Sequence, residues 1–342
     1  MKKLSNGKLV IITLVLCFFT ILISTTIGSS DISFFQTLKI LLNKILNLDV
    51  DLDGIKSSSI NIIWLVRLPR VILAFLVGGS LAICGVSYQG IFKNPMADPF
   101  ILGVSSGAAL GASIGIVMKF KFSFLGLSPI SIFAFIGAII TITIVYNISK
   151  IGSKVPVTTL LLSGIAIGQL LSAVISLFMI FTDDMQRIIY WTMGSFNARS
   201  WEHVMVVIPY VIIGFIILYS ASRELDIMLL GEETASQLGV DTEKLKKKVL
   251  FTTAILTAIA VSVTGIIGFV GLIIPHVVRS LVGPKHRSLI PYSFVIGGIF
   301  MIVSDTISRT LITQEIPVGI ITALFGSPFF IYLLRKRKTG GF

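Results

Sequence analysis

Charge is what this sequence has least of. Asp, Glu, Lys and Arg make up 13% of its 342 residues, against about a quarter in an ordinary soluble domain. Such a chain cannot clothe a water-facing surface, so lipid must be its solvent. Cysteine is nearly absent. Cys17 and Cys84 each lie inside an apolar run, which argues against a disulfide or a metal pair and leaves two small buried hydrophobes. Histidine occurs three times, at His203, His276 and His286, with no partner at metal-ligand spacing. The phosphate loop G-x-x-x-x-G-K-[ST] is missing, so the chain has no such cradle for ATP. Neither a G-x-S-x-G elbow nor H-E-x-x-H occurs. Ionisable residues are scarce inside the apolar runs, with Asp305 and Arg309, spaced i, i+4, the clearest exception. An intramembrane enzyme needs a cluster of such groups, and an ion-coupled carrier tends to need buried carboxylates. Their scarcity moves the energy source to another subunit.

What is abundant is hydrophobicity: 54% of residues, with a mean hydropathy of +0.97. One helical span needs about 20 apolar residues. The runs are long and continuous, unlike the alternating segments of about 10 residues in a β-barrel. They predict an all-α polytopic membrane protein of ten segments: 9–28, 67–91, 99–118, 124–149, 157–181, 201–222, 244–267, 272–283, 288–309 and 317–335. The eighth is too short to span alone and reads as a half-span buried by neighbours. The first follows Lys2, Lys3 and Lys8 and could pass for a signal peptide. Its length and the lack of an A-x-A site favour a retained helix. No linker suggests a second domain, so residues 1–342 read as one transmembrane domain, with a mixed-charge loop at 223–248.

The net charge of +12 reads as the basic bias of cytoplasmic loops rather than as an affinity for nucleic acid. With ten segments and both termini in the cytoplasm, the inner parts hold 18 basic and 7 acidic residues, and the outer parts 10 and 9. The opposite orientation breaks the positive-inside rule. The outer loop 29–60 should carry a short amphipathic helix near 33–47, followed by the acidic cluster Asp49, Asp51 and Asp53. Gly103, Gly107, Gly111 and Gly115 recur every fourth residue, as do Gly164, Gly168 and Ser172. Such stripes let helices approach closely in lipid.

Several motifs then fall in order. They begin with Arg67-Leu-Pro-Arg70, Gly78, Gly79, Gly85, Gln89, Asn94-Pro95-Met96-Ala97-Asp98-Pro99 and Leu102-Gly103. Trp191-Thr-Met-Gly-Ser195, Gly231-Glu232, Ala235 and Leu238-Gly239 follow. Next comes Gly268-Phe-Val-Gly271-Leu-Ile-Ile-Pro275-His276-Val-Val-Arg279, and last Glu315-Ile-Pro317-Val-Gly319 with Gly326-Ser-Pro328-Phe329. This order, over about residues 60–335, resembles the permease subunits of the iron–siderophore, haem and cobalamin ABC importers. The resemblance implies ten helices with both termini in the cytoplasm of a bacterial cell. It implies a second permease, identical or not, two ATPase subunits that hold ATP and Mg, and an extracytoplasmic substrate-binding protein. No catalytic residue, metal or cofactor is expected on this chain. The expected cargo is an iron–siderophore-type chelate, with haem or cobalamin the alternative; a proton-coupled secondary transporter is the reading from outside the family.

The expected sites follow from the same motifs. Gly231, Glu232, Ala235, Leu238 and Gly239 form a short helix with an apolar side, able to sit in a partner's groove. The resemblance makes that partner the ATPase; the alternative is a solvated loop helix. Arg67, Arg70 and Arg309 lie at the outer helix ends. In the resembling family such arginines meet carboxylates of the binding protein, which suits the planar fork of arginine. The alternatives are snorkelling anchors or, for Arg309, a pair with Asp305. Gly268, Gly271, Pro275, His276 and Arg279 form a gating or structural motif. There the two glycines read as packing residues, Pro275 as a kink, and His276 as a hydrogen-bonded structural side chain or a proton switch. Asp183, Asp184 and Arg187 read as a solvated outer loop.

Overall fold

In a hydrocarbon solvent each backbone group must find its partner within its own segment, which leaves helices for a chain with these runs. The computed structural model describes residues 6–28, 30–48, 52 and 54–338. Along them run α1 (Asn6–Thr26), α2 (Phe34–Leu46), α3 (Ser57–Asn61), a π-helical turn (Ile62–Arg67), α4 (Leu68–Phe92), α5 (Val104–Val117), α6 (Pro129–Ser149) and α7 (Val157–Ile180). They continue as α8 (Met185–Thr192), α9 (Trp201–Ser220), α10 (Ser222–Met228), α11 (Glu232–Gln237), α12 (Thr242–Thr264), α13 (Val270–Val282), α14 (His286–Thr310) and α15 (Val318–Lys338). Among the described residues there is no strand, only two isolated bridges, Phe124–Leu127 and Ile151–Lys154.

Among the described residues, seven helical stretches are long and apolar enough to cross a membrane: 9–26, 57–92, 129–149, 157–180, 201–220, 242–264 and 286–310. Three shorter apolar helices, 104–117, 270–282 and 318–333, accompany them. Each of the ten predicted segments therefore holds a helix. The second is longer than expected, because α3 and the π turn lead straight into α4. The third is shorter, because residues 93–103 are spent on turns. Asn94 and Asp98 make them, accepting from the backbone N–H of Met96 (3.0 Å) and Phe100 (2.9 Å). The predicted amphipathic helix is α2, started by a capping box in which Ser33 and Gln36 satisfy each other's backbone N–H. The acidic cluster Asp49, Asp51 and Asp53 lies outside the described residues, as do Lys2 and Lys3.

α4 is the axis of the bundle. Nearly all of its residues are buried, packed by α9, α12, α13 and α14. α5, α6 and α7 form a second group against α12. The outward faces of α1, α7 and α9 stay apolar, with Leu14, Phe18, Leu162, Leu170, Ile212 and Ile216 exposed. Apolar surface of this extent suits a membrane or another apolar protein face rather than water. Several hydroxyls inside the bundle are absorbed by their own helices: Ser80, Ser87, Ser113 and Thr253 each donate to the carbonyl four residues back.

The glycine stripe on α5 works as expected. A Cβ at Gly107 would strike Thr141 and the Gly137 carbonyl, and one at Gly111 would strike the Phe133 carbonyl, all on α6. The two backbones touch where a side chain would hold them apart.

Candidate functional site

The predicted Gly231–Gly239 motif forms a compact knob at one end of the bundle. Gly231 (φ +124°) and Gly239 (φ +85°) turn the chain before and after α11, in a region costly for residues with a Cβ. Between them Ala235 is fully buried, whereas Leu238 is 59% exposed. Leu229 and Leu230 are exposed beside it. The five predicted residues thus share one short turn-helix-turn, with one side docked on the bundle and a leucine-rich side left open.

What anchors the knob is Lys246, a residue the sequence reading passed over. Its side chain on α12 is only 4% exposed. Its Nζ lies 2.7 Å from Glu232 of α11 and 2.5 Å from Glu243 of α12, and donates to the Val155 carbonyl at 3.1 Å. Glu243 in turn accepts from the Val155 N–H at 3.1 Å. A buried ammonium must be paired to be tolerable, and here the pairing ties α11, α12 and the α6–α7 link together. The available signal was the i, i+3 spacing of Glu243 and Lys246, hidden in a run of lysines that marks membrane sidedness.

α10 has a separate tether. Asp226 Oδ1 accepts from the backbone N–H of His286 (2.9 Å) and contacts its Nδ1 (2.6 Å), at the start of α14. Burial alone would push the Asp226 carboxyl upward; the bonds from His286 and the nearby Lys285 outweigh it and hold the group below the ordinary carboxylate range. The knob and the preceding α10 are thereby tied to the α6–α7 link, α12 and the start of α14.

The second motif is a helix break. α12 stops at Gly265, and α13 begins after Phe269, which holds φ +70°, a strained value for a bulky residue. The Thr264 carbonyl at this break accepts from the Ser195 N–H at 2.7 Å, and the Gly194 carbonyl accepts from the Val318 N–H at 2.9 Å. The end of α8, the break and the start of α15 therefore meet at one junction. Gly271 is a packing residue as expected: a Cβ there would strike Pro99, and Gly85 of α4 lies directly against its carbonyl. Gly268 is not. A Cβ built on it meets nothing within 4 Å, because it opens on a groove of about 520 Å³ lined also by Met193, Ile266, Gly319, Leu324 and Pro328. Pro275 is buried inside α13. The ring of His276 stands edge-on to Phe329, with centroids 6.3 Å apart. Arg279 donates to Gln89 Oε1 (2.9 Å), whose amide donates to the Gly271 carbonyl (3.3 Å). This chain of bonds fixes α13 to α4.

The three predicted docking arginines gather at the opposite end, and their guanidiniums point inward. Arg67 donates to the carbonyls of Thr26 (2.5 Å) and Ser30 (2.8 Å). Arg70 grips Asp305 through Nε (3.0 Å) and Nη2 (2.9 Å), and Glu315 through Nη1 (2.9 Å). Arg309 donates to the Ser24 carbonyl, and its Nε lies 3.8 Å from Asp305. Asp305, 1% exposed, thus sits between two arginines. The partners come from α1 and the residues just after it, α4, α14 and the link before α15, so the pair with Asp305 named as the alternative for Arg309 forms as part of a wider network. Between α7 and α8, Asp184 joins Lys119 (3.2 Å) and Arg187 (3.3 Å), so the loop predicted as solvated is also linked by charge.

Among the described residues no cluster of His, Cys, Asp and Glu could hold a metal ion.

Residues 15–336 match the FecCD transport family. The cobalamin import system permease protein BtuC of Halobacterium salinarum is 46% identical over 286 residues, covering 83% of this chain and 76% of that protein. The hemin transport system permease protein HmuU of Yersinia pestis is 40% identical over 285 residues, covering 81% of this chain and 84% of that protein. A solved metal-chelate type ABC transporter in an inward-facing conformation superposes with a TM-score of 0.83 at 33% identity, covering 97% of this chain and 100% of that one.

Proposed function

Because the chain belongs to the FecCD transport family, a family of permeases for metal-chelate and vitamin ABC importers, and is a multi-pass inner-membrane protein, we propose that it carries a bulky metal chelate inward between two permease copies. The observation that carries the reading is the knob at α10–α11. It is a rigidly anchored surface element with an open leucine-rich side, on a chain that has no phosphate loop of its own. A motor must lie on another subunit, and Leu229, Leu230 and Leu238 offer it a seat.

In this reading the knob faces the cytoplasm, as do both termini, in agreement with the basic bias of that side. All ten apolar helices cross or enter the bilayer, with α13 and α5 as shorter members buried by the rest. ATP closes two ATPase subunits; the knob moves with them, and Lys246 and His286 pass that motion to α12 and α14. The break at 265–269 and its open groove at Gly268 lie where the bundle can flex. A binding protein delivers cargo at the opposite end. Arg67, Arg70 and Arg309 serve that docking from within, by bracing the helix ends it touches.

The cargo belongs to the cobalamin, haem and ferric-siderophore class. A ferric siderophore is the first expectation, although the ordered motifs are shared across the class and a 46%-identical relative is named for cobalamin. Competition decides between them: accumulation of labelled ferric siderophore in cells expressing the full importer should be insensitive to excess cobalamin. Accumulation of cobalamin instead makes this a corrinoid permease. Uptake of neither, nor of haemin, removes the proposed cargo class.

A further inference from the structure

A cavity of about 290 Å³ lies among the ends of α4, α13 and α14, and Leu229 of the knob forms part of its wall. Three basic side chains line it: Lys93, Arg279 and His286. Gln89 lines it too, and no carboxylate does. The imidazole of His286 is 2% exposed, and its Nε2 has no hydrogen-bond partner. Asp226 occupies Nδ1 and the backbone N–H, so Nε2 is the buried nitrogen left without a partner. It looks past Gly90, also on the cavity wall, where a Cβ would come within 2.7 Å of it. A buried polar nitrogen without a partner costs stability unless something visits it. Arg279 is already aimed by its bond to Gln89.

We infer that this cavity binds a phosphate group. Lys93 supplies a point charge and Arg279 a planar fork, the pair of donors suited to phosphate oxygens. His286 serves either form of the ligand: neutral imidazole accepts from a protonated phosphate oxygen, and imidazolium donates to an ionised one. The positive end of α14 adds a fixed partial charge. The phosphate can be that of an anionic lipid at the membrane edge or of a free anion.

The test uses the full chain in dodecyl maltoside with ¹⁵N-labelled histidine. There are three histidines, so His203→Asn and His276→Asn assign the spectrum. Inorganic phosphate and short-chain phosphatidylglycerol are titrated separately. The His286 Nε2 resonance should move and saturate, and Lys93→Gln should raise the half-saturation concentration about tenfold, the loss expected for one charge-assisted bond. Gly90→Ala, which places a methyl over Nε2, should weaken binding at least as much. A response to phosphatidylglycerol alone identifies a lipid headgroup, and a response to inorganic phosphate a free anion; both support the site. No movement with either probe overturns the inference, as does a response that Lys93→Gln leaves unchanged. Movement that appears only on adding the ATPase subunit also overturns it, by making the cavity a seat for a protein side chain.

Discussion

Replacing Asp305 by asparagine removes one negative charge from a place where two arginines depend on it. Asp305 is 1% exposed and the Arg70 side chain 9%, so solvent cannot take over. Arg70 loses two charge-assisted bonds, at 3.0 and 2.9 Å, and keeps Glu315, whose side chain is 32% exposed. Arg309 loses the carboxylate that lies 3.8 Å from its Nε. Breaking a buried pair from one side costs about 3–5 kcal/mol. The asparagine oxygen can still accept one bond, and Glu315 keeps part of the charge balance, so about 3 kcal/mol is expected from the same range. The assay is reversible unfolding of the purified chain in mixed SDS and dodecyl maltoside micelles. A double-mutant cycle sharpens it. Arg70→Met and Asp305→Leu should each destabilise, while the double variant should cost clearly less than their sum, because two apolar groups then fill the site. Asp305→Asn losing under 1 kcal/mol, or a strictly additive cycle, would refute the claim that this charge holds α4 and α14 together.

Two further outcomes follow from the other end. Lys246→Met leaves Glu232 and Glu243 facing each other and strips the Val155 carbonyl of a donor. The folded chain should survive with a loss of about 1–3 kcal/mol, and transport per ATP hydrolysed should fall; unchanged stoichiometry would remove Lys246 from the coupling path. Burial pushes the Asp98 carboxyl up to about 6, against the bond from the Phe100 N–H. An acid with a raised folded-state pKa costs stability at neutral pH, a cost that fades as pH falls through about 6 and is gone below the ordinary carboxylate value. Asp98→Asn should therefore raise the unfolding midpoint at pH 8 and lose that advantage near pH 4; a pH-independent effect would contradict the assignment.

Much of the fold was legible because lipid imposes a simple rule: long apolar runs must be helices. The short α13 was legible by its length, and α2 by the capping residues Ser33 and Gln36. α8 was missed because its eight residues mix Gln186, Arg187 and Tyr190 into an otherwise apolar turn, and they read as loop. The knob at 231–239 was legible from its two glycines. Lys246 was not, since burial of one lysine in a run of four depends on Val155, in the α6–α7 link, and on Glu232, on α11. The arginines show the same limit. At the end of an apolar run an arginine reads as a rim charge, and only the fold reveals that Arg70 meets Asp305 and Glu315 across more than 200 residues of chain. Gly268 and Gly271 look alike in sequence; packing against Pro99 and Gly85 separates them.

The most direct measurement is ATP-dependent uptake in proteoliposomes containing this permease, its ATPase and the loaded binding protein, comparing wild type with Glu232→Arg plus Leu238→Asp. The account predicts that wild-type uptake requires ATP, and that the double variant still inserts in the membrane yet loses both transport and retention of the ATPase. Uptake driven by a proton gradient without the ATPase, or a double variant that transports at the wild-type rate, would contradict it.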